Sequence, residues 1–200
     1  MYNTDTKQPE NFAFTPENIK QAEVIIARYP KGKQASAVMP LLTLAQKQSA
    51  NWLPKAAMDV VAHMLGMAPI RVYEVATFYS MYNLSPVGKH VVEICTTTPC
   101  WLKGSDDIVK ACQKHLGVNL GETTPDGKFT LREVECLGAC VNAPMVQVDE
   151  RFYEDLTTEN IVTVLEAFAR GEMPKPGPQS GRRSSEPQSG LTTLKNRKSA

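Results

Sequence analysis

Between residues 16 and 78, apolar side chains return every three to four positions, the period of helices with one buried face. Thr15-Pro16-Glu17 supplies a hydroxyl cap, a first-turn proline and an acid at the positive dipole end, so a helix is expected to start there. Ile19, Ala22, Ile26 and Tyr29 form its inner stripe until Tyr29-Pro30 interrupts it. Val38, Leu41, Leu42 and Ala45 mark a second stripe. Ala57, Val60, Val61, Met64 and Leu65 mark a third, with Gly66 as its stop. A short fourth helix is expected from Pro69, carrying Ile70, Tyr73 and Phe78. Residues 12–86 are therefore expected to form a helical N-terminal region, a small bundle whose stripes are core, behind a flexible N-terminus at 1–11.

The period then changes. HVVEIC (90–95) and FTLREVEC (129–136) are β-rich runs that each end in cysteine. Between them Ser105-Asp106-Asp107 opens a helix that runs to Gly117. PMVQVDERFYEDL reads as a hairpin turning near Asp149-Glu150. A last helix follows Thr157, with Ile161, Leu165 and Phe168 facing inward. Strand, helix, strand, two strands, helix over residues 87–170 is a small α/β sheet of thioredoxin-like order.

Residues 171–200 form a third region. Pro, Gly and Ser fill 13 of these 30 positions, which argues against a packed core of their own. Six basic residues against Glu172 and Glu186 give the stretch +4 of a total +1, leaving −3 for the rest. That small net charge provides no bulk basic field for nucleic acid. No apolar run approaches the roughly 20 residues a bilayer requires, so membrane contact is expected only through partners. MYNTDTKQPEN carries Asp5 and Glu10 and reads as neither a secretory nor a transit signal. A reducing compartment is then the default, where closely spaced thiols are metal or redox ligands more often than structural disulfides.

Five cysteines bear on that point. Cys95 and Cys100 frame CTTTPC, Cys136 and Cys140 frame CLGAC, and 35 residues separate the pairs. Each pair follows a predicted strand. If a helical crossover makes those strands parallel, both loops open on one sheet edge and four thiolates converge there. Loops of three or four residues bring two sulfurs within about 4 Å for a tetrahedral metal with bonds near 2.3 Å. Thr96, Thr97, Thr98, Gly138 and Ala139 are small enough to let backbone N–H groups approach sulfur. Three centres remain open on spacing: a zinc site of four cysteines, a binuclear iron–sulfur cluster, and a thiol–disulfide pair. The last wants a C-x-x-C at a helix N-terminus, which this sequence lacks. The spacing leans towards iron–sulfur without deciding it.

Three runs carry a resemblance: WLPKAAMDVVAHMLGMAPIRVYEVATFYSMY, HVVEICTTTPCWLKGSDDIV and GETTPDGKFTLREVECLGACVNAPMVQV. Together they closely resemble the family of E-type subunits of NADH:quinone oxidoreductase (respiratory complex I), and the likeness extends through GRRSSEP and GLTTL. The resemblance implies an α/β fold class, an N-terminal helical bundle followed by a thioredoxin-like [2Fe–2S] ferredoxin domain. It implies one [2Fe–2S] cluster, with Cys95 and Cys100 on one iron and Cys136 and Cys140 on the other. It implies an electron-transfer subunit with no catalytic residue of its own, exchanging an electron with the FMN of a partner that also binds NADH. The implied partners are that flavoprotein and other subunits of a peripheral arm, on the cytoplasmic side of a bacterial inner membrane. The basic tail, over 174–195, is then expected to dock on partner subunits. Related subunits serve NAD-linked hydrogenases and formate dehydrogenases, and a structural zinc module in a multisubunit assembly is the alternative from another class.

Cys112 lies within a predicted helix away from both pairs and is expected to be a buried, inert thiol. His63, His90 and His115 have no ligand spacing, and Glu133 and Glu135 alternate along a strand with no assigned role. Neither a Walker loop nor a dinucleotide glycine fingerprint is present.

Overall fold

A computed structural model of the chain describes residues 7–187, 189, 190, 192 and 193. Parts of the expected N-terminal segment (1–6) and of the expected docking tail (188, 191, 194–200) lie outside the described residues. The chain divides into two compact units, 1–87 and 88–200.

The first unit is helical: α1 (Pro16–Ala27), α2 (Val38–Gln48), α3 (Lys55–Leu65) and α4 (Pro69–Phe78), with a 3-10 turn at Gln34–Ala37. Thr15 caps α1, its hydroxyl accepting from the Asn18 amide at 3.2 Å. Gly66 ends α3 at φ +61°, a conformation that costs glycine nothing. Leu41, Leu42, Ala57, Met58, Val61 and Val72 are fully buried at the centre. Each large aliphatic contributes about 1.5–3 kcal/mol by leaving water. The first and fourth stripes differ from expectation: Ile19, expected to face inward, is 42% exposed. Ile70 and Phe78 are 58% and 79% exposed, and the inward positions of α4 are Val72 and Ala76. These two lie one turn apart at i, i+4, whereas Ile70 and Phe78 fall on the opposite face of the helix.

The second unit is a five-stranded mixed sheet with two long helices. Its strands are β1 (His90–Cys95), β2 (Phe129–Val134), β3 (Val146–Val148), β4 (Arg151–Glu154) and β5 (Gly177–Pro178), in the order β2-β1-β3-β4-β5. The helices are α6 (Ser105–Leu116) and α7 (Thr158–Ala169), with a short α5 (Thr98–Leu102) after β1. β1 and β2 are parallel, in register from His90↔Phe129 to Cys95↔Val134, and α6 is the crossover between them. β3 and β4 form the expected antiparallel hairpin, turning at Asp149, whose φ is +56°. Thr157 and Asn160 make a reciprocal capping box at the start of α7. Val92 and Ile94, two apart in β1, join Leu131, Val146, Val148 and Tyr153 under Ile108, Cys112, Ile161, Leu165 and Phe168. This is the thioredoxin-like arrangement of helices on a mixed sheet.

Candidate metal centre

Parallel pairing of β1 and β2 brings the two cysteine loops to one sheet edge. Cys95 is the last residue of β1, opposite Val134, and Cys136 follows two residues beyond that partner. The segment between Cys95 and Cys100 is not all loop. Pro99 falls in the first turn of α5, which carries Cys100 buried on its inner side. Cys140 begins a 3-10 turn, Cys140–Asn142. Gly138, at φ +84°, reverses the chain between Cys136 and Cys140, where a side chain would be strained.

All five cysteines are free thiols. Cys95 and Cys100 are each 1% exposed and pack with Met145 against Leu137, Ala139, Ala143 and Phe152. Cys136 and Cys140 are exposed, with their sulfurs 3.3 Å apart. That separation is far from the roughly 2.05 Å of a disulfide and close to what two ligands of one tetrahedral metal require. Cys95 and Cys100 lie close enough to shift each other's ionisation, as do the two pairs. Among the described residues, no three His, Cys, Asp or Glu side chains gather as for a single metal ion. The thiols meet as two pairs.

Polar groups around the sulfurs differ between pair members. Burial would raise Cys95, but the hydroxyl and amide of Thr97, with Cys100 beside it, hold it below the usual thiol value. The Thr97 hydroxyl is 3.2 Å from the Cys95 sulfur. Thr97 is also the cap residue of α5, yet its side chain makes no cap bond. Burial pushes Cys100 up to about 12, and its neighbour Cys95 adds to that. The Gly138 amide, 3.4 Å from sulfur, holds Cys136 low, and Thr97 assists. Cys140 is raised because Cys136 lies against it. Each pair therefore holds one thiol shifted towards its thiolate and one shifted away from it, and both give up their protons when a cation binds. Four soft sulfur donors, partly shielded and met by N–H and O–H groups, fit an iron–sulfur cluster by the chemistry of the donor set.

Some neighbours had no signature in the sequence. Met145 comes from β3's leading edge, 45 residues along from Cys100, and only the sheet order brings it beneath the thiols. Glu133, in β2, accepts a hydrogen bond from the Thr96 hydroxyl at 2.6 Å, tying the first cysteine loop to that strand. Of the histidines, His90 faces Asp149 at 2.8 Å at the far end of β1. Cys112 is fully buried under the sheet and pushed up to about 12 by that burial.

The model for the thioredoxin-like [2Fe–2S] ferredoxin family matches residues 22–169. The mitochondrial NADH dehydrogenase [ubiquinone] flavoprotein 2 of Dictyostelium discoideum is 50% identical over 190 residues, 95% of this chain and 77% of its own length. The E-type subunit of the NADH-quinone oxidoreductase of Rickettsia conorii is 57% identical over 156 residues, 78% of this chain and 93% of its own. A solved NAD+-reducing [NiFe]-hydrogenase, in its air-oxidized state, superposes with a TM-score of 0.56 at 17% identity. That alignment covers 66% of this chain and 23% of the hydrogenase chain, and it speaks to fold alone.

Proposed function

Because the chain belongs to the thioredoxin-like [2Fe–2S] ferredoxin family, among the E-type subunits of NADH:quinone oxidoreductase, we propose that it is an electron-transfer subunit of such a complex. Its ligands are Cys95, Cys100, Cys136 and Cys140, the first two on one iron and the last two on the other. The observation that carries this reading is the meeting of two thiol pairs at one sheet edge, each with a thiol held low by a donated hydrogen bond. When bound, a [2Fe–2S] cluster supplies reversible one-electron chemistry.

The chain's own residues shape that chemistry. The Thr97 hydroxyl and Gly138 amide donate to sulfur, stabilising negative charge there. Met145, Leu137 and Phe152 keep water from Cys95 and Cys100. Cys136 and Cys140 are the solvent side, and electrons pass through it to the partner. Trp101, Leu102 and Val141, next to Cys100 and Cys140 in sequence, are apolar side chains left 56%, 70% and 64% exposed. The partner in this reading is the flavoprotein that holds FMN and NADH, within a peripheral arm on the cytoplasmic side of a bacterial inner membrane. No described helix is long and apolar enough to cross a membrane, so contact with the bilayer runs through other subunits.

The test is anaerobic mixing of the reconstituted chain with the FMN-loaded flavoprotein and NADH. Visible absorbance of the chain should bleach on the flavoprotein's addition and stay constant without it. Bleaching by NADH alone, or none in the mixture, would contradict the proposed electron path.

A further inference from the structure

Part of the basic tail is already engaged by its own unit. β5 adds to the sheet edge, pairing Tyr153 with Gly177 and Glu154 with Pro178, and the Gln179 amide donates to the Glu154 carbonyl at 2.8 Å. The chain then folds over the turn that carries Cys140. Arg182 is the centre of this strap. Its Nε and Nη2 reach both carboxylate oxygens of Asp155, and the two side chains are only 12% and 14% exposed. Nη2 also donates to the Val141 carbonyl at 2.9 Å, and Nη1 to the Glu186 carbonyl at 3.0 Å.

The other contacts converge on the same turn. Ser180 donates its hydroxyl to Asp155 at 2.8 Å, and the Asp155 amide donates to the Asn142 carbonyl at 2.8 Å. The Asn142 side-chain amide donates to Glu154 and, at 3.1 Å, to the Ser184 carbonyl. Glu186 closes the strap on itself by accepting from the Arg183 amide at 2.8 Å. One planar guanidinium thus ties β4's end, the tail and the residue after Cys140 into a single unit. A fork of fixed N–H directions does this, whereas a point charge on a flexible stem does not.

We propose that Arg182 is a positioning residue for the cluster: through Val141 and Asp155 it holds the Cys140–Asn142 turn in the geometry that lets Cys140 ligate beside Cys136. This rests on the ligand assignment above. It gives the GRRSSEP segment a role inside the chain's own fold. The Arg182 charge is matched by Asp155, so its influence on the site is through geometry rather than field.

The experiment uses the full chain, reconstituted anaerobically with iron and sulfide, as wild type, R182A, R182K and R170A. Arg170 is the control, since its ion pair with Glu172 is exposed and lies after α7. Expected results are a changed visible circular dichroism spectrum and at least tenfold faster iron loss to a chelator in R182A. R182K should resemble R182A, and R170A should match wild type. An R182A protein that melts at lower temperature yet keeps the wild-type spectrum, with iron loss within twofold, would reduce Arg182 to a tail anchor and overturn the proposal. R182K behaving as wild type would overturn the claim that the fork matters. Amide exchange at Asn142 and Ala143 in the cluster-free chain decides the strap separately, with at least tenfold acceleration expected in R182A and an unchanged rate counting against it. A wild-type chain that takes up no iron and sulfide would instead bring down the ligand reading, leaving the exchange result to stand on its own.

Discussion

Replacing Thr97 by valine removes one hydroxyl and almost no volume, so it isolates the hydrogen bond that Thr97 gives Cys95 at 3.2 Å. The same hydroxyl also acts on Cys136, so one group serves both pairs. A hydrogen bond to a charged acceptor is worth about 1.5–3 kcal/mol net, and one pKa unit corresponds to about 1.4 kcal/mol. Burial works against Cys95 ionising, and without the hydroxyl only the Thr97 and Leu137 amides and the Cys100 thiol oppose it. In the cluster-free protein, Thr97→Val should therefore move the thiolate absorbance titration near 240 nm upward for one thiol. The loaded protein should respond in the same sense. The reduced centre carries more negative charge on sulfur than the oxidised one, so losing a donor destabilises it and lowers the midpoint potential. Each kcal/mol of that difference is about 40 mV for one electron, and because the charge is shared among several sulfurs the shift should be tens of millivolts. The assays are a thiol titration and an anaerobic redox titration followed by electron paramagnetic resonance. An unmoved thiol titration together with a potential within about 10 mV of wild type would show that the hydroxyl does not act on sulfur.

Three further outcomes are expected. Cys112→Ser should keep the full iron and sulfide content while costing about 1–3 kcal/mol of stability in urea, because it buries a hydroxyl in the apolar core; loss of the cluster spectrum would make Cys112 more than a packing residue. Gly88→Ala places a Cβ 2.7 Å from the Phe129 carbonyl carbon, where the parallel pair of strands begins. The strand must move, so a loss of about 1–3 kcal/mol is expected by denaturant unfolding, and a wild-type midpoint would contradict the close approach. Asp59 experiences burial that would raise its pKa, outweighed by hydrogen bonds from Tyr73 and Lys55 that lower it. Its folded value lies below the unfolded one, so its stabilisation is present above about pH 4 and is lost as pH falls through the folded value. With Asp59 partly exposed, Asp59→Asn should cost under about 1 kcal/mol at neutral pH and nothing near pH 2, read by thermal melting at both.

Local rules made much of this molecule legible. Thr15 and Thr157 announce helix starts because a cap needs only four consecutive residues, and both hydroxyls cap as that rule requires. Gly66 and Asp149 sit where a backbone reversal requires a tolerant residue. The cysteine spacing, set against two strand endings, was enough to bring four thiols to one edge once the crossover helix was recognised. Long-range relations were not legible. Met145 reaches the thiols through strand order, and Arg182 reaches Val141 across 41 residues. Neither has a sequence period, and a proline- and glycine-rich tail conceals a largely shielded ion pair because one residue is too short a pattern to read. α4 shows the reverse failure. Its large apolar residues suggested a core face at Ile70, Tyr73 and Phe78; Tyr73 does pack against the core, but the fully buried positions are the small pair Val72 and Ala76. Residue size reports what a face could bury, and the neighbours decide which face they cover.

The proposed function stands on Cys95, Cys100, Cys136 and Cys140 holding a two-iron cluster. The decisive measurement is metal and sulfide analysis of the anaerobically purified chain, alongside single cysteine-to-serine variants at all five positions. Two irons and two acid-labile sulfides per chain are expected, lost or spectrally altered at each of those four positions and unchanged in Cys112→Ser. A colourless chain with one zinc and no sulfide, or a cluster indifferent to Cys136 and Cys140, would be the opposite result and would end the electron-transfer reading.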